Sequence, residues 1–224
     1  MRRVPPMPKI KPFEKYPTEY EAWFERNKAL YASELNAIRT FIPANQYGVE
    51  IGVGSGRFAV PLHIRVGVEP APALAALARK KGMSVYEHCA EALPFSDGIF
   101  DFALMVTVIC FVDDIEKAFQ ESYRILKPKG LLIVCFIDKN SRLGQQYQQE
   151  KAESRFYEQA TFYGVEDVTG YLSGAGFEDF EFRQTIFDPK AEGLQPVKKG
   201  YGEGGFVVIK GVKKTIHPSP CQPI

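Results

Sequence analysis

Three glycines within five residues, Gly52, Gly54 and Gly56, follow the short apolar run 47–51 and precede residues 58–63, which leave room for only a short helix. A glycine link between a strand end and a helix start puts no Cβ between backbone and ligand, and the helix N-terminus behind it offers free amide donors. The alternation then continues. Residues 65–68 read as a second strand and 73–81 as a helix with Leu74, Leu77 and Ala78 on one face, stopped by Gly82. Residues 83–89 read as a third strand, and 100–107 form a nearly continuous apolar run suited to a sheet covered on both faces. A helix capped by Asp113 buries Ile115, Ala118, Phe119, Ser122 and Leu126, and Lys127-Pro128-Lys129-Gly130 breaks the chain before the strand 131–137. Strands alternating with helices across short links predict an α/β fold, a doubly wound and mostly parallel sheet with right-handed crossovers.

The two ends differ from this middle. Pro5, Pro6, Pro8, Pro12 and Pro17 predict an extended leader over 1–17. Thr18 and Glu21 have the spacing of a capping box, so a helix is expected from Thr18 until Pro43 closes it. Its apolar positions Tyr20, Trp23, Phe24, Tyr31, Leu35 and Ile38 recur at helical spacing, as a core-facing helix, a lid over a ligand, or both. After residue 137 comes a glutamine-rich stretch with Tyr147, Phe156 and Tyr157, read as a helical insertion over 138–162. Val165, Val168, Leu172 and Ala175 form a helix face ended by Gly176. Residues 178–187 and 205–212 complete a seven-stranded sheet as an antiparallel C-terminal edge hairpin. The expected organisation is a leader and lid helix over 1–45, one domain over 46–214, and a flexible proline-bearing tail over 215–224.

Lys and Arg total 28 against 27 Asp and Glu, a net charge of +1. A general nucleic-acid coat needs a broad basic face, which this balance does not supply. No apolar run approaches the length of a membrane span. Arg2 and Arg3 lead into prolines and lysines rather than an apolar signal core. Cys89, Cys110, Cys135 and Cys221 lack metal spacing and disulfide-scaffold density, so a reduced cytoplasmic protein without a metal site is expected.

Spacing narrows what the glycine loop can hold. A dinucleotide fingerprint needs a third glycine where Arg57 stands, which disfavours a nicotinamide enzyme, and no P-loop motif occurs. The pattern is acidic-x-G-x-G-x-G from Glu50, with Glu69 nineteen residues on at the end of the second strand. A carboxylate there can accept from both hydroxyls of a ribose lying across the sheet. The pair describes a nucleoside site with no pyrophosphate requirement.

Five segments in order carry a resemblance: 50–56, Glu69, Ala90-Glu91-Ala92-Leu93-Pro94-Phe95-Ser96-Asp97, Phe100-Asp101 and Leu126-Lys127-Pro128-Lys129-Gly130. Over about residues 46–137 the chain resembles the class I S-adenosylmethionine-dependent methyltransferases. It is most similar to the small-molecule type 11 group, which includes the ubiquinone/menaquinone-biosynthesis methyltransferases. The resemblance implies a Rossmann-like methyltransferase fold with S-adenosylmethionine as cofactor and S-adenosylhomocysteine as product. It implies that Gly52, Gly54 and Gly56 pass beneath the methionine part, with Glu50 near its amino group or bracing the loop. It puts Glu69 on the ribose, Pro70 beside the adenine, Ala90 and Glu91 in the adenine-edge loop, and Thr107 between the methionine end and the substrate approach. One departure is Cys89, where relatives often carry an aspartate that accepts from the adenine amino group; Glu91 or backbone would substitute.

The cofactor carries an activated methyl group, so the protein's main task is in-line positioning, with a general base needed only for a protonated, poorly nucleophilic acceptor. No catalytic residue is assigned. Tyr20, Trp23 and Phe24, the insertion residues Tyr147, Phe156 and Tyr157, and 107–111 can reach the carboxyl ends of the strands. That aromatic lining favours a small or moderately apolar acceptor. Leu93, Pro94, Phe95 and Asp101 are expected to be structural, His63 and His88 to take no part, and Cys110 to be a buried inert thiol. Alternative readings are an RNA or protein methyltransferase, or an S-adenosylmethionine-binding module without turnover. Oligomeric state and acceptor are left open.

Overall fold

The structure, a computed structural model, describes residues 9–215; the proline-rich tail expected to be flexible and most of the leader prolines lie outside the described residues. Seven strands run where the apolar runs place them: β1 (Gly48–Ile51), β2 (Val66–Val68), β3 (Ser84–Tyr86), β4 (Phe100–Val106), β5 (Leu126–Ile137), β6 (Phe177–Thr185) and, last in the chain, β8 (Phe206–Lys213). The two-residue β7 (Lys198–Lys199) pairs with β6 at one edge and makes the sheet eight-stranded rather than seven-stranded. Strand order is β3-β2-β1-β4-β5-β8-β6-β7. The first five strands are parallel, and β8 enters antiparallel between β5 and β6.

Central strands covered on both faces must send apolar side chains both ways. In β4, Ala103 and Met105 pack with α5 (Ile115–Ile125) and α7 (Val165–Gly174). Phe102, Leu104 and Val106 pack on the opposite side with α4 (Pro72–Lys80) and the N-terminal helices. Successive strand residues point to opposite faces, so this single apolar run builds two cores. The chain goes from β1 to β2 and β3 on one side and returns to β4 on the other. The gap above β1 and β4 is therefore the topological switch point, where open α/β sheets bind ligands.

Several local expectations are corrected. The leader contains a short helix, α1 (Lys11–Lys15), because Pro12 sits in its first turn, where a missing N–H costs nothing. The next helix, α2 (Pro17–Arg26), starts with Pro17 in its first turn and has no side-chain cap, so Thr18 and Glu21 do not form a capping box. It does not continue to Pro43. Asn27 leaves helical geometry (φ −115°, ψ 40°), its side-chain amide donates to the Trp23 carbonyl at 2.8 Å, and α3 (Lys28–Arg39) begins beyond it. The cap of α5 is Asp114 rather than Asp113: its Oδ1 accepts from the Lys117 amide at 2.9 Å. Leu126 belongs to β5, paired with Phe100, and the Lys-Pro-Lys-Gly segment is a bulge in that pairing. The insertion is the helix α6 (Arg142–Gln149) and a 3-10 turn (Lys151–Glu153).

Candidate active site

Positive φ lets the glycine loop turn under the switch point: Gly52 has φ 71° and Gly54 φ 54°. A Cβ on Gly52 would overlap the Val108 side chain, and one on Gly54 would lie 2.6 Å from the Tyr20 hydroxyl. Glu69, at the end of β2, closes the loop from below. Its Oε2 accepts from the Gly54 amide at 2.8 Å and its Oε1 from the Ala71 amide at 2.9 Å. Each oxygen keeps lone-pair capacity for a hydroxyl donor.

Around this loop lies a cleft. Its wall includes Gly52, Gly54, Glu69, Pro70, Ala90, Glu91 and Thr107. Tyr20, predicted from the sequence on the acceptor side, also lines it. Glu50 and Gly56 do not. Gly56 lies behind the loop, where a Cβ would meet the Met83 sulfur at 2.9 Å, and Glu50 is 1% exposed under the sheet end. Phe13, Ile10 and Val108 line the cleft without having been singled out in the sequence. The proline run of the leader masked the first two.

Two buried acceptors at this loop lack a partner among the described residues: Oε2 of Glu50 and Oε2 of Glu91. An unmatched buried carboxylate oxygen is expensive, and of the two only Glu91 belongs to the cleft wall, where a ligand could supply the donor. Burial pushes the Glu69 carboxyl up to about 7, with backbone donation from Ala71 and Gly54 opposing it. Burial, reinforced by the Glu69 charge, raises Glu50 well above the usual carboxylate range. Two carboxylates short of countercharge suit a cationic ligand. S-adenosylmethionine brings a sulfonium, an ammonium, ribose hydroxyls and an adenine amino group, so the residues present fit it. The Glu91 Oε1 accepts from the Asp113 amide at 2.8 Å, which holds the segment around Glu91 to the start of α5. Cys89 is absent from the cleft wall, and burial raises its thiol to about 11.

Beside the cleft is a second chamber. It brings together Tyr20, Trp23, Phe24, Tyr147, Phe156 and Tyr157, the aromatic residues that the sequence placed on two separate segments. Phe13, Tyr20, Thr107 and Phe111 border both spaces, so cleft and chamber adjoin at Thr107. Thr107 has φ 53°, a costly backbone for a β-branched residue, held by its amide donating to the Cys135 carbonyl at 2.8 Å.

The roof is tied down by charge. Glu21 on α2 accepts from Arg57 Nη2 at 2.7 Å and Nε at 3.1 Å, and from the Ser55 hydroxyl of the glycine loop. Arg57, which breaks the dinucleotide pattern in the sequence, is thus an anchor for α2. Arg155 of the insertion pairs with Glu19 at 2.6 Å across the chamber mouth. Asp101 is structural, as expected, accepting from Lys127 at 2.7 Å and the Tyr47 amide at 2.9 Å. Burial raises the Cys110 thiol to about 12, consistent with an inert group. Among the described residues no cluster of His, Cys, Asp and Glu has the makings of a metal site, and no helix is long and apolar enough to cross a membrane.

An acidic glycine-loop cleft at the switch point of a parallel sheet, closed by an antiparallel strand pair, defines a nucleoside-binding α/β protein. Comparison with known proteins specifies the kind. The family described as "Methyltransferase domain" matches residues 49–134. A solved S-adenosylmethionine-dependent methyltransferase of Thermotoga maritima, described as a possible histamine N-methyltransferase, is 50% identical with a TM-score of 0.89, covering 92% of this chain and 100% of that one. An uncharacterised protein of Methanocaldococcus jannaschii is 42% identical over 203 residues, 90% of this chain and 98% of the relative. A demethylmenaquinone methyltransferase of Thermus thermophilus is 38% identical over 98 residues, 38% of this chain and 44% of the relative. The chain belongs to the class I S-adenosylmethionine-dependent methyltransferases, in the type 11 group. It is an enzyme that uses S-adenosylmethionine.

Proposed function

We propose that the cleft holds S-adenosylmethionine over Gly52 and Gly54, and that the adjoining chamber holds a small organic acceptor in a cytoplasmic protein. The observation that carries this reading is the junction: two concave spaces, one acidic and glycine-lined, the other aromatic, meet at Tyr20 and Thr107. In this reading Glu69 accepts from the ribose hydroxyls, and Glu50, buried behind the cleft wall, braces the glycine loop. The unmatched Oε2 of Glu91 accepts from the adenine amino group, the task for which Cys89 is unsuited. Pro70 and Ala90 flank the base, while Gly56 shapes the turn without contact.

The bound cofactor supplies a methyl group already activated on a sulfonium; the chain's part is to orient and to exclude water. Tyr20 does both. Burial, then Glu69 and Glu50, raise its hydroxyl well above the usual phenol range, so it stays a neutral donor at the junction. Trp23, Tyr147 and Tyr157 give the acceptor flat apolar walls. Histamine, in the description of the Thermotoga maritima relative, is an acceptor of a size the chamber admits.

Titration calorimetry with S-adenosylhomocysteine tests the cleft. Glu69→Ala is expected to weaken binding by about 1.5–3 kcal/mol, the range for hydrogen bonds to a charged group. Gly54→Val is expected to abolish it. Unchanged affinity in folded Glu69→Ala protein removes Glu69 from the site. For the chamber, a panel of small amines, alcohols, thiols and carbon acids is incubated with S-adenosylmethionine and read by mass spectrometry for an added methyl. Methylation of RNA or protein with none of the panel turned over would contradict the small-acceptor reading.

A further inference from the structure

The acceptor chamber contains one charged group that methyl-donor binding does not use. Glu34 lies on α3 within the buried stripe Ser33, Glu34, Ala37 and Ile38, and is 8% exposed. It lines the chamber. Among the described residues its carboxylate has no hydrogen bond and no ion pair; burial alone pushes it up to about 8, with nothing opposing. The other two charged residues bordering the chamber, Glu19 and Arg26, are exposed at its mouth, and Glu19 is already paired with Arg155. Among the described residues Glu34 is therefore the one carboxyl enclosed by the chamber, and it has no partner there.

Without a partner, Glu34 escapes the cost of a desolvated charge by keeping its proton near neutral pH, and a cation bound beside it would favour release of that proton and form an ion pair with the carboxylate. The surrounding groups fit the same ligand. Trp23, Tyr147, Phe156 and Tyr157 present aromatic rings, whose negative faces attract cations once water is excluded. Burial raises the Tyr147 hydroxyl to about 12 and the Tyr157 hydroxyl well above the usual phenol range, and the charge of Glu34 adds to both shifts. These two phenols are thus neutral and supply Glu34 with no countercharge.

We infer that Glu34 is the specificity-determining residue of the acceptor chamber and that the acceptor is a small organic amine, bound as its cation with the ammonium against the Glu34 carboxylate and the carbon frame against Trp23, Tyr147 and Tyr157. This inference rests on the reading of the chamber as the acceptor site. It concerns a residue that no comparison singles out, and it narrows the acceptor to a molecule with an ammonium for Glu34 and a separate atom whose free lone pair takes the methyl group, since a protonated nitrogen cannot.

Trp23 is the only tryptophan of the chain and lines the chamber, so its fluorescence reports occupancy directly. The protein is saturated with S-adenosylhomocysteine and titrated near neutral pH with 2-phenylethylamine and 2-phenylethanol, then with cyclohexylamine and cyclohexanol. The amine of each pair has nearly the shape of its alcohol and differs in charge. At least a tenfold preference for the amine is expected in one pair or both, and Glu34→Gln is expected to erase it while S-adenosylhomocysteine affinity stays unchanged. Equal binding of amine and alcohol in both pairs, or no binding of any, overturns the inference; so does a preference that survives in Glu34→Gln. Should Glu34→Gln fail to fold, the wild-type amine-to-alcohol ratio decides alone. Failure of S-adenosylhomocysteine to bind overturns the cleft reading instead, and the same four titrations without it still decide on Glu34.

Discussion

At the scale of single residues, the site is built from carboxylates kept from water. Glu34, Glu50 and Glu69 are all buried and all pushed above the ordinary carboxylate range by burial. The sign of the consequence follows from linkage. Between an ordinary 4.5 and the raised value of about 8, native Glu34 holds a proton that the unfolded chain has released, so stability falls as pH rises through that window. The ionisable neighbours that share its field, Tyr31, Cys135, Tyr147 and Tyr157, are all neutral across that window and do not cancel the effect. Denaturant unfolding of wild type and Glu34→Gln should therefore diverge from pH 5 to pH 8, the variant gaining at most about 1.4 kcal/mol per pH unit. Parallel curves would mean that Glu34 titrates as if exposed. Glu69 was legible in the sequence because it ends a strand at a set spacing from the glycine loop. Glu34 was not, because a glutamate among Tyr31, Leu35 and Ile38 reads as the polar edge of an amphipathic helix. Its one signal, a charge three residues after Tyr31 and four before Ile38 on the apolar side, needs the helix's partner surface to be interpreted.

Among elements, the parallel core was legible and the N-terminal helices were not. The strands β1, β2, β4 and β5 lie within two residues of the apolar runs that predict them, apart from the start of β5, since a doubly covered strand must be apolar throughout. In contrast α1, the break at Asn27 and the start of α2 at Pro17 depend on contacts with a surface far away in sequence. Phe13 packs edge-on against Phe111 at 5.0 Å between ring centroids, and Glu21 reaches Ser55 and Arg57. Local propensity does not encode such partners. The Glu21 contacts make α2 a tethered roof. Burial works against the Glu21 charge, but donation from Arg57 and Ser55 outweighs it and holds the carboxyl below its ordinary value. Glu21→Ala leaves Arg57 bonded only to the exposed Glu25, and amide exchange over α2 should accelerate several-fold with β1 and β4 unchanged. Unaltered exchange in α2 would show that aromatic packing alone seats the roof.

For the whole molecule, the chain places a glycine-lined cleft and an aromatic chamber side by side at the carboxyl end of one sheet. The parallel strands supply the cleft, while the chamber is closed by α2, α3 and the insertion. The central claim is that the glycine-loop cleft binds S-adenosylmethionine. Thermal unfolding of nucleoside-free protein, refolded from denaturant, tests it most directly, with S-adenosylmethionine, S-adenosylhomocysteine, NAD and ATP each added at millimolar concentration. At about 100 times its dissociation constant a ligand adds about 2.7 kcal/mol, or about 5–10 °C for a chain of this length. A rise with the first two alone is the predicted result; no rise with either, or a rise with NAD instead, would contradict it.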